Sequence, residues 1–89
     1  MPFPISLERD LETGLDRYVV VAQDGFGTAD ARELCDWLVA AAQNPTAAFK
    51  VDLTALDPRA SALVLVSADT RRLRAERRLD LVAPRAAAA

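Results

Sequence analysis

The sequence predicts a small α/β domain, an open mixed sheet of about four strands with two helices in the order β-β-α-β-α-β. Three observations predict it. A β-branched run, Tyr18-Val19-Val20-Val21-Ala22, precedes an apolar stripe at helical spacing over residues 31–42. Two further short strand-like segments, around Val51 and Leu81, flank a second helical stretch. Strands that alternate with helices give a sheet with right-handed crossovers and helices on at least one face.

Each element has its own warrant. Ile5-Ser6-Leu7-Glu8-Arg9-Asp10-Leu11 alternates apolar and polar residues, and its acids suit an edge strand. Glu12-Thr13-Gly14-Leu15-Asp16 is turn chemistry, with Gly14 free to take positive φ. A short glycine-containing loop between two strands predicts a hairpin. The continuous run from Tyr18 to Ala22 is typical of a strand covered on both faces.

Asp24-Gly25-Phe26-Gly27 is a loop, and either Thr28 or Asp30 can cap the helix after it. Ala31, Leu34, Cys35, Leu38 and Ala41 or Ala42 then make one apolar stripe, stopped by Asn44-Pro45. Phe49-Lys50-Val51-Asp52-Leu53 is the next strand, and Asp57-Pro58 is an N-cap with proline at the first helical position. The stretch from Ala60 to about Arg78 includes Leu63-Val64-Leu65-Val66, whose propensity suits helix or strand; length and the later Arg/Glu pattern favour helix. Its expected inner face is Ala62, Leu63, Val66 and Leu73. Leu79-Asp80-Leu81-Val82-Ala83 is a last strand, closed by Pro84. One domain over residues 1–84 is expected, with 85–89 a frayed alanine-rich tail.

Composition narrows the function. The 89 residues, 52% hydrophobic and 27% charged, are globular, and they suffice for one small core. A net charge of −2 argues against a dedicated nucleic-acid or membrane-surface binder. No histidine is present, which removes Ser-His-Asp and Cys-His hydrolase chemistry and histidine-ligated metals. The single Cys35 forms no internal disulfide and lies on the apolar stripe as a small hydrophobe. The N-terminus lacks a basic region and a long apolar run, and no stretch approaches the ~20 residues of a membrane span, so a cytoplasmic protein is expected. No metal or cofactor is implied. Charge is uneven: residues 1–45 hold eight acids and three arginines, residues 46–89 five acids and eight bases. Such asymmetry either steers an association or reflects two differently solvated faces.

Candidate chemistry is sparse. Gly25-Phe26-Gly27 before a helix lacks the third glycine and the lysine of a phosphate loop and reads as a turn plus cap. The basic run from Arg71 to Arg78 matches the preference of helix C-termini for cations, and without interleaved aromatics it does not suit single-stranded nucleic acid. Trp37 is either an exposed anchor for a partner or a cover for the edge of the core. Asp52 and Asp57 either converge at the end of the third strand, where α/β sheets place ligand sites, or serve as strand-end and cap residues.

Three segments bear a family resemblance. Tyr18-Val19-Val20-Val21 leads through Asp24-Gly25-Phe26-Gly27 to Ala31-Arg32-Glu33-Leu34. Val51-Asp52-Leu53-Thr54-Ala55-Leu56 is similar to a "VDLSGV" strand, and Leu79-Asp80-Leu81-Val82-Ala83-Pro84 to an "LRLVAP" strand. Over residues 5–84 the chain resembles the bacterial STAS domain, the sulfate-transporter and anti-sigma-factor-antagonist fold. It departs from the family where the Asp-Ser-Ser-Gly phosphorylation loop belongs. Arg59-Ala60-Ser61-Ala62 stands there, with Ser61 the one remaining hydroxyl. The family's helix-strand-helix after the fourth strand is absent too, which is expected to leave part of the sheet uncovered.

The resemblance implies a non-catalytic protein-interaction domain that docks on a protein partner such as an anti-sigma kinase. Its implied docking residues are Gly25, Phe26, Gly27, Asp57, Arg59, Ser61 and Val64, with Ser61 the candidate phosphorylation site. Loss of the acid and glycine around Ser61 points also to a constitutive adaptor or oligomerising scaffold, with a second copy of the chain as partner. The reading from another class is a small nucleotide-binding protein.

Overall fold

The computed structural model describes residues 3–9, 11–12 and 14–82. Strands β1 (Ile5–Arg9), β2 (Asp16–Val21), β3 (Ala48–Asp52) and β4 (Leu79–Val82) form one sheet in the spatial order β1-β2-β3-β4. β1 and β2 are the expected antiparallel hairpin, and β2, β3 and β4 run parallel. Helix α1 (Thr28–Ala41) links β2 to β3; α2 (Pro58–Leu65) and α3 (Ala68–Ala75) link β3 to β4. The expected open mixed α/β sheet is therefore present, with three helices in place of two. The tail over residues 85–89, and Ala83 at the end of the last strand, lie outside the described residues.

This strand order dictates a one-sided molecule. Both parallel crossovers step the same way across the sheet, so right-handed connections put all the helices on one face. On that face Tyr18, Val20, Phe49, Val51 and Leu79 meet Leu34 and Leu38 of α1, Val64 of α2 and Leu73 of α3. Strand period places Val19, Val21, Lys50, Asp52, Asp80 and Val82 on the other face, which no described element covers. The coverage of β2 on both faces expected from its valine run is thus corrected: Val21 is exposed. Those valines suit a strand flanked by two neighbours in the sheet, and such a strand needs only one covered face.

The second helical stretch breaks at Val66 and Ser67, and the break has a geometric cause. Val64 and Leu73 are both fully buried, yet on one unbroken helix they would project roughly 180° apart at ~100° per residue. Ending α2 and restarting at Ser67 brings both side chains onto the sheet. The same break turns the expected inner face outward. Ala62, Leu63 and Val66 are exposed, and the buried positions are Ser61 and Val64 in α2, Thr70 and Leu73 in α3.

Trp37 covers the edge of the core. Its ring meets Tyr18 at 5.5 Å and Phe49 at 5.6 Å, both edge-to-face, while Tyr18 stacks on Phe49 at 5.8 Å. Each such pair contributes about 0.5–1.5 kcal/mol beyond simple burial. Cys35 is half-buried with a free thiol. Among the described residues no helix is long and apolar enough to cross a membrane.

Candidate functional site

The carboxyl ends of β2 and β3 lie side by side, joined where the Ala22 amide donates to the Asp52 carbonyl at 3.0 Å. Two loops leave the sheet there, residues 22–27 before α1 and 53–57 before α2. This is the edge where open α/β sheets place their sites.

The first loop turns at residues 23–26, closed by the Phe26 amide donating to the Gln23 carbonyl at 3.2 Å. Gly25 sits at the third position with φ of +89°, a conformation that strains any residue bearing a Cβ. Phe26 is then folded back into the core, 7% exposed and edge-to-face with Phe3 at 5.9 Å. Gly27 is the N-cap, and its amide donates to the Asp30 carboxylate at 2.8 Å. Asp30 thus caps from inside the helix, while Thr28 is its first residue.

The second loop is built alike. Asp52 accepts from the Thr54 hydroxyl at 2.6 Å and from the Thr54 amide at 2.9 Å. Those two bonds, the hydroxyl's first, hold the Asp52 carboxyl below its ordinary value of 3.8; partial burial opposes them and nearby Lys50 assists. The resulting stability is present above that unfolded value and is lost as pH falls through the lower folded one. Leu56 turns inward and is buried. Asp57 is the N-cap of α2, accepting the Ala60 amide at 2.9 Å, with Pro58 at the first helical position. Asp52 and Asp57 are therefore strand-end and cap residues.

Of the seven docking residues implied by the resemblance, Gly25, Asp57 and Arg59 are exposed at this edge and Gly27 is half-buried. The other three point inward. Phe26 and Val64 belong to the core, and Ser61 is 2% exposed with its hydroxyl donating to the Pro58 carbonyl at 3.1 Å. Ser61 thus closes the first turn of α2 from within and presents no hydroxyl to solvent.

Small-molecule chemistry has less to draw on. A hollow of about 210 Å³ lies between the hairpin and residues 44–47, lined by Leu7, Leu15, Tyr18 and Ala47 among others. It is smaller than the ~300–1,000 Å³ of ordinary ligand pockets. Among the described residues no group of three His, Cys, Asp or Glu stands close enough to hold a metal ion.

The opposite end of the sheet holds a residue whose role the sequence did not reveal. Arg78, between α3 and β4, donates from its guanidinium to the carbonyls of Ala42 at 3.0 Å, Asn44 at 2.8 Å and Ala47 at 3.2 Å. It closes the C-terminus of α1 and the turn into β3, satisfying carbonyls that a helix end leaves without partners. Its neighbours Arg71, Arg72, Arg74 and Arg77 are exposed. Comparison of the chain with protein-family models, curated proteins and solved structures returns no match.

Proposed function

We propose that the chain is a non-catalytic protein-docking module of the anti-sigma-factor-antagonist kind, working in the bacterial cytoplasm, and that it docks constitutively. The observation that carries this reading is the construction of the carboxyl edge. Exposed Gly25 and Asp57 stand on loops pinned from beneath by buried Phe26 and Leu56, and exposed Arg59 follows in the first turn of α2. Loops shaped before contact lower the ordering cost of association. Arg59 adds a charged, multidentate donor of the kind enriched at binding hot spots.

The orientation of Ser61 favours the constitutive form over a phosphorylation switch. A kinase needs the hydroxyl in solvent, and here it is buried against Pro58. A dianionic phosphate at that position would lie among core side chains without water, a costly placement.

The test is affinity capture from native cells with three baits: wild type, Ser61→Ala and Arg59→Glu. The reading expects one partner retained by wild type and Ser61→Ala, depleted ~tenfold or more by Arg59→Glu, and a recovered bait whose intact mass carries no phosphate. A partner held equally by Arg59→Glu would overturn the docking surface. A phosphorylated bait would restore the switch. Reproducible thermal stabilisation by nucleotides or divalent cations would move the protein to the ligand-binding class.

A further inference from the structure

The outer surface of the helical layer carries an apolar centre between two charges of opposite sign. Leu63 on α2 and Val66 at its C-cap are 40% and 69% exposed, beside the exposed Ala62. On α1, Glu33 and Asp36 are one turn apart and both exposed. On α3, Arg71 and Arg74 are likewise one turn apart and exposed. The three helices pack against one another on the same face of the sheet, so these groups share one side of the molecule.

None of the four charges is satisfied at home. Arg72 has Asp69 at 3.9 Å, but Glu33, Asp36, Arg71 and Arg74 have no ion-pair partner within 4 Å among the described residues. The apolar exposure also has an origin in the fold. Re-phasing at Ser67, which buries Val64 and Leu73, is what turns Leu63 and Val66 outward. Large exposed aliphatic groups side by side, rimmed by charge, have the anatomy of an association surface.

We propose that this surface is a homodimer interface. Leu63 and Val66 of two copies pack together at its centre, and Glu33 and Asp36 of each copy meet Arg71 and Arg74 of the other. A two-fold axis in the plane of the interface, parallel to the helical layer and running between α1 and α3, produces both charged contacts at once. An isologous interface requires that self-complementarity. A second copy is the occupant because the chain itself supplies the complement: acids on one flank, arginines on the other, and an apolar patch that matches itself. The proposal uses neither Arg59 nor the carboxyl-edge loops, so it stands or falls apart from the docking function.

The test is the solution mass of the full chain, by light scattering or sedimentation, for wild type and for two charge-reversed variants. One is Glu33→Arg with Asp36→Arg; the other is Arg71→Glu with Arg74→Glu. All four sites are exposed, and circular dichroism checks that each variant is folded. Wild type is expected to be dimeric at low salt and to dissociate as salt is raised. Each reversed variant alone is expected to be monomeric, because both charged contacts become repulsive. Mixing the two variants is expected to restore a dimer, because one charged contact is then the native one and the other is re-formed with its signs exchanged. Leu63→Glu is expected to be monomeric in every mixture. Wild type that remains monomeric up to about 1 mM overturns the proposal, and leaves the patch to a different protein. A dimer that survives charge reversal, or variants that do not recombine, overturns it equally by placing the interface elsewhere.

Discussion

The two ends of the parallel sheet are held by different means. At the carboxyl end the side-chain ties found among the described residues are all short in sequence. Asp30 reaches Gly27, Asp52 reaches Thr54, Asp57 reaches Ala60 and Ser61 reaches Pro58, each across two or three residues. At the amino end Arg78 reaches back 31 to 36 residues to fasten α1, the following turn and the start of β3 together. Local ties form and break as separate units, and loss of one leaves its neighbours in place. A single long-range clamp couples the elements it touches. The carboxyl loops can therefore vary, as a docking edge must, while the amino end sets the integrity of the sheet.

The largest effect that separates the two ends is expected from Arg78→Ala. It strips three carbonyls of a charged donor at a part-buried helix end, a loss of about 2–3 kcal/mol. For a domain of this size that is a fall in Tm of roughly 10–20 °C. Urea or thermal unfolding measures it, and Arg78→Lys, which cannot fork to three acceptors, is expected to recover less than half. Amide exchange should quicken through the end of α1 and the start of β3 together. A loss under about 0.5 kcal/mol would show that the clamp is ornamental and that the aromatic cluster of Tyr18, Trp37 and Phe49 holds that end.

A smaller and more confined effect is expected at the other end. Asp57→Ala removes the cap of α2 and is expected to cost about 1 kcal/mol, with Asp57→Asn recovering most of it. Exchange should quicken over residues 59–61 and remain unchanged in α1. Spread of the effect into α1 would mean that the carboxyl end is coupled after all, and the contrast between the ends would fail.

That contrast also explains what could be read from the sequence. Strands β2, β3 and β4, helix α1 and the Asp57-Pro58 cap are each specified within a few residues, and the sequence pattern located them. The break at Ser67 was hidden because residues 62, 66 and 73 make an acceptable stripe on one continuous helix. Only the need to bury both Val64 and Leu73 against the sheet rejects it. The same phase decides Ser61: its place in the first turns of α2 was legible, its inward direction was not. Arg78 looked like one more cation at a helix end, and its three acceptors are fixed by tertiary packing alone.

The smallest expected effect lies beside the clamp and has the opposite sign. Arg77 adopts φ of +59°, the left-handed conformation that costs an L-residue about 1–2 kcal/mol. It does so to end α3. The Arg77 amide donates to the Arg74 carbonyl at 3.0 Å and the Arg78 amide to the Leu73 carbonyl at 2.9 Å, the paired bonds of a Schellman motif in which glycine is the usual occupant. Arg77→Gly removes the steric cost and adds flexibility to the unfolded chain, worth about 0.5–1 kcal/mol in the other direction. The net is a stabilisation of about 0.5 kcal/mol, read as a rise of a few degrees in Tm. The comparison sharpens in the background of Arg78→Ala. If the left-handed turn serves chiefly to aim Arg78 at the end of α1, the glycine variant gains less once the clamp is gone, because the turn is no longer held in place. An equal gain in both backgrounds would show the turn and the clamp to be independent. A loss in both would mean that the Arg77 side chain itself contributes to the fold.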